Sequence, residues 1–324
     1  MSTDTATGSS ETTSPSSSIN LESVRAIARK DFQDAVRSWM FWGLSLFFFV
    51  LLVAVTGTIS YFGEDIAAEG ATTEALVLFV SQITRLVIPL IALILGWKAI
   101  AGERETGSIK ILLSLPHSRK DVLLGKLLGR SAVLSVSLVV GFALAAIIVA
   151  ALLGSFDIVD YVSLLVMAII YGLAYTSIAV ALSSITRSTT IAGAAMFGVF
   201  ILFYIVWNAL QTVFQVLMNR GTIDGVSYTQ EVAGPDGTAQ QMTMDRLPDW
   251  ALFIDMIDPG NAFQNAITVL SSTGGSELGT SYPDAWFANG VPFYLENWFS
   301  FVILLLWIVV PMAIALYRFD RVDL

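Results

Sequence analysis

Six long apolar stretches, separated by polar segments, dominate the residue pattern of the chain. Each stretch holds roughly the 20 apolar residues that a helix needs to cross a bilayer core of about 30 Å. Because lipid offers the backbone no hydrogen-bond partners, each of these segments must form a helix. The predicted spans cover residues 39–59, 75–97, 132–153, 161–182, 190–217 and 298–317.

The segment before the first span divides into two parts. Residues 1–19 consist mostly of Ser, Thr, Gly and Pro, a composition that predicts a disordered tail. Residues 20–38 alternate apolar and basic positions at helical spacing, which predicts an interfacial amphipathic helix. Its apolar face would hold Leu21, Val24, Ala28, Phe32 and Ala35. The fold class is therefore an all-α membrane protein, with this helix followed by six transmembrane helices over residues 39–324.

The basic residues of the loops predict the orientation. Segments on one side of the membrane hold 14 lysines and arginines, and segments on the other side hold two. Loops rich in lysine and arginine stay in the cytoplasm. We therefore expect a multi-pass protein of the plasma membrane with both termini in the cytoplasm. The loop 98–130 is then cytoplasmic, and the segment 218–297 is extracellular.

Acidic residues are distributed in the opposite way. The predicted outer segments hold 16 carboxylates, whereas the inner segments hold 10. One interpretation is a vestibule that collects cations. The interpretation we favour is a surface adapted to very high salt, where a Debye length of about 3 Å screens the crowded charges. It indicates a haloarchaeal source.

Composition excludes several classes of site. The chain has no cysteine and one histidine, His117, so it lacks thiolate and multi-histidine metal sites. Gly102 and Gly107 have the spacing of a phosphate loop, but Ser108 follows where that loop needs lysine. We expect no catalytic residue, no metal and no cofactor on this chain. The net charge of −9 also argues against nucleic acid as a partner.

One charge lies within a predicted span. Arg85 is near the middle of the second span, where arginine costs roughly 2.5 to 3.5 kcal/mol to insert. Gln82 shares its helical face, so this face should meet protein or water. Arg85 is either a pathway residue or a structural residue bonded to carbonyls of a neighbouring helix. No carboxylate lies within a span, which argues against a proton relay of the usual kind.

A polar stripe runs along the fifth predicted span. Tyr204, Asn208, Gln211 and Gln215 follow one another at intervals of four, three and four residues, which places them on one helical face. Amide side chains in lipid need hydrogen-bond partners. The stripe therefore lines either a translocation path or an interface between helices.

Two loops are large enough to have structure of their own. The inner loop has a charged triplet at Glu103–Glu105, a glycine at Gly107, a short amphipathic helix, a turn at Pro116 and a second basic helix. In the outer segment, residues 221–241 are polar and rich in turn formers. Residues 250–270 carry apolar positions at helical spacing, which predicts short helices packed on the outer mouth.

The inner loop resembles the signature of ABC-2-type permeases, and within them the branch that contains the nitrous-oxide-reductase maturation permease. The resemblance extends over about residues 20–324. A weaker likeness covers residues 257–263, where Asp258 replaces an Asn of that branch. The matching loop residues are Glu103, Arg104, Glu105, Gly107, Ser108, Leu112, Leu113, Ser114, Pro116, Ser118, Arg119 and Lys126.

The resemblance implies a transmembrane subunit of an exporter driven by ATP. Two permease subunits would pair, as a homodimer or a heterodimer, and two separate ATPase subunits would hold ATP and Mg. The residues expected to couple the permease to the ATPase are Glu103, Arg104, Glu105, Gly107, Ser108, Leu112, Pro116 and Arg119. The residues expected along the path, on the second and fifth spans, are Gln82, Arg85, Tyr204, Asn208 and Gln211.

Two other classes of function remain open on the sequence. One is a secondary transporter coupled to an ion, and the other is a membrane anchor or sensor that recruits a cytoplasmic protein. The substrate is open as well. The branch implies copper, yet Met, His and Cys do not cluster in the sequence, and drugs, lipids and peptides remain open.

Overall fold

The structure of the chain is a computed structural model that describes residues 19–37, 39–66, 73–108, 118–153, 157–233, 239–271 and 282–319. The predicted disordered tail, 1–19, and the predicted short helix before Pro116 lie almost wholly outside these residues. Eleven α-helices and one hairpin are formed in the described part. The helices before the hairpin are α1 (Leu21–Val36), α2 (Trp39–Ile66), α3 (Thr73–Trp97), α4 (Ala101–Glu105), α5 (Arg119–Leu153), α6 (Ile158–Ile185), α7 (Thr189–Ile201) and α8 (Trp207–Asn219).

The segment after α8 holds a hairpin and further short elements. Strands β1 (Val226–Ala233) and β2 (Ala239–Arg246) are antiparallel, with Val226 opposite Arg246. Helices α9 (Asp249–Ile257) and α10 (Pro259–Ile267) follow. Short 3₁₀ turns and α11 (Asn297–Phe319) complete the described chain. Within the polar stretch 221–241, residues of β1 pair with β2, and Tyr228 packs on Trp286 with ring centroids 5.6 Å apart.

The six predicted spans are confirmed. Six helical segments in the described residues are long and apolar enough to cross a membrane, and together they make a multi-pass, all-α bundle. The third span begins earlier than predicted, since α5 starts at Arg119 and joins the second basic helix of the loop to the membrane segment. The fifth span is α7 and α8 joined by one π-helical turn, Leu202–Val206.

The fourth span, α6, lies at the centre of the bundle. In its most apolar stretch, 72% of the residues are buried within the chain, whereas in the fifth span only 17% are. Helix α3 approaches α6 so closely at Gly96 that a Cβ there would collide with Ala179. The fifth span therefore remains on the surface of the subunit.

Helix α1 packs against α5 rather than lying apart from the bundle. Its buried side holds Val24, Ile27, Asp31 and Ala35, while Leu21 is 78% exposed. The buried face of α1 is therefore rotated relative to the predicted apolar face, because Asp31 forms ion pairs with basic side chains of α5 and is buried. We call the end of the bundle with α1 and α4 the basic end, and the end with β1 and β2 the hairpin end.

Candidate functional site

Arg85 of α3 forms an ion pair with a carboxylate from outside the spans. Its Nη2 lies 3.0 Å from Oδ2 of Asp258, and its Nη1 donates to Oε1 of Gln264 at 3.1 Å. The side chain of Arg85 is 16% exposed and that of Asp258 is 2% exposed. Arg85 is therefore bonded to side chains, and not to the helix carbonyls that were one expectation. We call Arg85, Asp258 and Gln264 the polar membrane site.

Local chemistry fixes Asp258 at the junction of α9 and α10. Its Oδ2 accepts from the backbone N of Asn261 at 2.9 Å, which caps α10. The side chain of Asn261 donates in turn to Oδ1 of Asp255 at 2.7 Å. Gly260 leaves room for the arginine, since a Cβ there would lie 2.6 Å from Nε of Arg85. The helix cap and the ion pair thus share one carboxylate.

Aromatic side chains hold α10 among the spans. The hydroxyl of Tyr171 donates to the carbonyl of Arg85 at 2.9 Å, and its ring stacks on Phe263 with centroids 4.7 Å apart. On the other side, Nε1 of Trp307 donates to the carbonyl of Ile257 at 2.9 Å. Helices α9 and α10 were expected on the outer mouth. Helix α10 packs against α11 and α6, and Asp258 at its start reaches Arg85.

Burial perturbs the acids of this junction. Desolvation by burial, with the nearby charge of Asp258, raises the pKa of Asp255 to about 6, although Arg85 and Asn261 oppose the shift. Burial likewise raises the pKa of Asp258, against the lowering effect of Arg85. Arg85 therefore bonds to Asp258 and lowers the pKa of Asp255 only through its charge.

A small cavity joins Arg85 to Tyr204 of the fifth span. Its volume of about 10 Å³ is enough for about one water molecule. The buried Oδ1 of Asp258, which has no hydrogen-bond partner among the described residues, belongs to this junction. Tyr204 lies in the π-helical turn, a feature frequent at functional sites. The cavity is lined by Arg85, Pro89, Tyr171, Tyr175, Phe200, Phe203, Tyr204, Asp258 and Gly260.

The other predicted path residues do not line this cavity. Gln82 is exposed on α3, and Asn208 is exposed on α8 with its Nδ2 bonded to the carbonyl of Tyr204 at 2.7 Å. Nε2 of Gln211 is buried and has no partner within the described part of the chain. The structure therefore brings Arg85 and Tyr204 together, leaves Gln82 and Asn208 on the surface of the subunit, and places half-buried Gln211 away from the cavity.

At the basic end, Glu103 belongs to a charge cluster whose other members include the buried Lys126 and Asp31. Its Oε1 lies 2.6 Å from Nζ of Lys126, and that amine lies 3.0 Å from Oδ1 of Asp31. Arg130 completes the cluster, with Nε 2.9 Å from Oδ2 of Asp31. We call these four residues the basic-end cluster. It joins α4 to α5 and to α1.

The next two charged residues also have partners within the chain. Arg104 donates from Nη1 to the carbonyl of Thr186 at 2.8 Å and lies over the ring of Phe319, 5.4 Å from its centroid. Glu105 accepts from the backbone N of Thr189 at 3.1 Å and from its hydroxyl at 2.7 Å. Charges that were expected to meet a docked protein therefore bond to span ends of their own subunit.

Of the remaining residues expected to couple the permease to the ATPase, some lie in the described part of the chain and some lie outside it. Gly107 has a φ of +73°, which glycine adopts without strain and which ends α4. Ser108 is exposed, and Arg119 donates to a backbone carbonyl at the end of α11 at 3.0 Å. Leu112 and Pro116 lie outside the described residues. No group of three or more His, Cys, Asp or Glu side chains placed to hold a metal occurs in the described residues.

Comparison with known proteins identifies the class of this bundle. The family described as "ABC-2 family transporter protein" matches residues 25–324. The chain therefore belongs to the ABC-2 family of ABC transporter permeases, and the resemblance seen in the inner loop is confirmed. The members of this family are the membrane subunits of such transporters, and this chain fits that class as a multi-pass helical protein.

Two individual relatives are permease proteins of ABC transporters. The chain is 32% identical to the "Probable ABC transporter permease protein NosY" of Pseudomonas aeruginosa over 196 residues, which are 57% of this chain and 68% of the relative. It is 28% identical to the protein of the same name from Stutzerimonas stutzeri over 197 residues, 59% of this chain and 70% of the relative.

Sequence reasoning missed Asp258, Gln264 and Asp31. The first two lie more than 170 positions from Arg85 in the chain, and no local pattern links them. One signal in the sequence could have indicated Asp258. A lone arginine in a span needs a partner, and the apolar stretch 250–270 contains an acid directly before Pro259. Asp31 was treated as part of the polar face of α1, because spacing alone does not separate a buried acid from a solvated one.

Proposed function

We propose that this chain is the permease subunit of an ABC-2 exporter, and that a separate subunit hydrolyses ATP. The observation that supports the proposal best is the convergence of span ends on the loop after α3. Residues 103–105 contact the ends of α5, α6, α7 and α11. A loop with these contacts can pass a movement of an attached protein to most of the bundle.

The exposed fifth span supports pairing with a second permease subunit. The fifth span is only 17% buried, yet it carries Tyr204, Asn208 and Gln211. Amide groups facing lipid are costly, and a second subunit can supply partners across the interface. Two permease subunits, identical or different, would then bind two ATPase subunits that hold ATP and Mg.

The translocation path would run along the faces of the second and fifth spans. We assign to it Gln82, Arg85, Tyr204, Asn208 and Gln211. Arg85 and Tyr204 support the assignment because they meet at one small cavity beside a π-helical turn. In this proposal the polar membrane site closes the hairpin end of the path.

The basic end would face the cytoplasm, in the plasma membrane, with both termini inside. The excess of lysine and arginine at that end supports this orientation. The ATPase would be coupled through the loop residues Glu103, Arg104, Glu105, Gly107, Ser108, Leu112, Pro116 and Arg119.

The acidic hairpin end supports a haloarchaeal, high-salt environment. Its segments carry 16 carboxylates and two basic residues. If the crowded carboxylates need screening, the melting temperature should rise steadily between about 0.15 and 2 M KCl, where the Debye length falls from about 8 Å to below 3 Å. A melting temperature that does not depend on salt would argue for a cation vestibule instead.

Co-expression with ATP-binding-cassette subunits from the same genome tests the proposed function. We expect one of them to co-purify with the permease, and we expect its ATP hydrolysis in vesicles to depend on the permease. Transport that is driven by an ion gradient in vesicles without any ATPase would favour the secondary transporter. A permease that retains no ATPase subunit under any condition would contradict the proposal.

A further inference from the structure

An apolar groove runs between α2 and α3 and starts at the basic end of the bundle. Its volume is about 620 Å³. Helix α2 packs mainly against α5 and contacts α3 over a shorter length, so α2 and α3 leave a gap between them. The groove is lined by Trp39, Gly43, Leu44, Phe47, Val87, Leu90, Ile91, Ile94 and Leu95.

We propose that this groove binds an acyl chain of an anionic phospholipid from the leaflet at the basic end, and that Lys98 binds the phosphate of its headgroup. The inference goes beyond the proposed function. It requires only that the chain spans a membrane, and it holds whether or not an ATPase drives transport.

The length of the groove fits one leaflet. Its lining extends over eight residue steps on each helix, from Trp39 to Phe47 on α2 and from Val87 to Leu95 on α3. At about 1.5 Å per residue, both helices rise about 12 Å over this length. Half of a bilayer core of about 30 Å is about 15 Å. An acyl chain that starts at the basic end would therefore follow the groove through most of one leaflet.

Gly43 gives the groove its depth on the side of α2. Trp39, Gly43 and Phe47 are spaced four residues apart, so they lie in one row along the helix. A Cβ on Gly43 would contact only the ring of Trp39, at 3.7 Å, so this position faces open space. The two aromatic side chains of the row are exposed. The row is therefore a concave apolar surface, which suits an acyl chain.

A cation lies at the mouth of the groove. Lys98 follows Ile94 by four residues and Ile91 by seven, so it lies on the groove face of α3, one turn beyond the last lining residues. It is exposed, and its Nζ lies over the ring of Trp97, 5.4 Å from the centroid. Lys98 forms no ion pair within the described part of the chain. A lysine there can lay its stem on apolar surface and hold its charge at the headgroup level.

Other side chains near the mouth also suit the headgroup region. Arg37 is exposed at the end of α1, two residues before Trp39. Exposed tryptophans such as Trp39 and Trp42 are enriched where a membrane meets water. The acid whose charge interacts with Lys98 is Glu105, and both of its carboxylate oxygens already accept hydrogen bonds. The mouth therefore favours an anionic headgroup over a zwitterionic one.

The groove lies on the side of α3 opposite the polar membrane site. At 3.6 residues per turn, Ile91 and Ile94 are rotated by roughly half a turn from Arg85 and Pro89. The face assigned to the translocation path is thus separate from the groove. The lipid would be a bound component of the permease and not its transported substrate.

The experiment uses the purified full-length permease in detergent, titrated with phosphatidylglycerol or with phosphatidylcholine of the same acyl chains. Native mass spectrometry measures the dissociation constant of the first bound lipid and the number of permease subunits in each particle. We expect phosphatidylglycerol to bind about five-fold more tightly, because one cation at an anionic headgroup contributes about this factor.

Two variants with matched controls test the two parts of the site. Gly43→Leu should fill the groove and abolish the preference for phosphatidylglycerol. Gly57→Leu should preserve it, since this is the same change on the same helix outside the groove, at a position where a Cβ also meets open space. Lys98→Gln should abolish the preference and Lys98→Arg should keep it. Lys30→Gln, at an exposed position of α1, controls for general attraction by surface charge.

Four results would overturn the inference. Equal binding of the two lipids by the unmodified permease would show that the groove holds only unselected lipid. Equal effects of Gly43→Leu and Gly57→Leu would place the bound lipid elsewhere. A loss in Lys98→Gln no larger than that in Lys30→Gln would assign the preference to general surface charge. Loss of paired permease subunits in Gly43→Leu alone would show that a second copy of the chain occupies the groove.

Discussion

Replacing Asp258 by asparagine removes the negative partner of Arg85 while it preserves the cap of α10. Asparagine is as good an N-cap as aspartate, so the bond to the backbone N of Asn261 should persist. Arg85 keeps its bond to Gln264 but loses an ion pair of 3.0 Å in which both side chains are largely buried. Breaking a buried pair by removing one partner costs roughly 3–5 kcal/mol. We therefore expect Asp258→Asn to lower the free energy of unfolding by about 3 kcal/mol.

The reciprocal change, Arg85→Met, should cost a similar amount for a different reason. Asp258 would then be buried without a cation, and it would take up a proton instead of remaining charged. Protonation of an ordinary aspartate at pH 7 costs about 4 kcal/mol. Since the pKa of Asp258 is then raised further in the folded state only, this variant should gain stability as the pH falls from 7 towards 4. Asp258→Asn should show no such gain at position 258.

The double variant Arg85→Met with Asp258→Asn decides between the two roles of Arg85. Removing both charges should restore most of the lost stability, because a buried pair is often replaceable by neutral residues. The measurements are thermal melting of the purified protein and transport by the assembled complex. Restored stability with lost transport would identify Arg85 as a path residue, whereas restored transport would identify it as structural. Stability losses that simply add in the double variant would refute the ion-pair reasoning.

Three further predictions concern other parts of the molecule. A cysteine introduced at exposed Thr229 should be labelled by a membrane-impermeant thiol reagent on intact cells, whereas one introduced at exposed Ser108 should not. Labelling at 108 would reverse the predicted orientation. The pKa of Asp255 is about 6 in the folded protein and 3.8 in its usual state, so the free energy of unfolding should fall as the pH rises above about 4. Asp255→Asn should flatten the dependence and add up to about 3 kcal/mol at pH 7; an unchanged melting profile would contradict the shift. Gly125→Ala should force Ile27 away from α5 and cost about 1–3 kcal/mol, measured by melting, and a neutral effect would show that α1 is loosely packed.

The sequence alone determined the fold class and the number of spans. Whether a segment enters lipid depends on the apolar content of about 20 consecutive residues, which is a local property. For the same reason the ends of the predicted second span lie within two residues of the ends of α3, and those of the predicted fifth span lie within two residues of the start of α7 and the end of α8. The charged triplet and Gly107 also stood out locally, and the family that they indicated is confirmed. Coupling and path roles for individual residues stay predictions.

Tertiary structure decided which partner each charged group has. Arg85 pairs with a carboxylate 173 positions away, and Lys126 pairs with Asp31 at a separation of 95. The rotation of α1 and the insertion of α10 among the spans follow from the same contacts. Charges cannot remain unpaired in a medium of low dielectric, so the sequence shows that Arg85 needs a partner. That this partner is Asp258 depends on how α6, α10 and α11 pack, and that packing depends on how side chains from distant parts of the chain fit together.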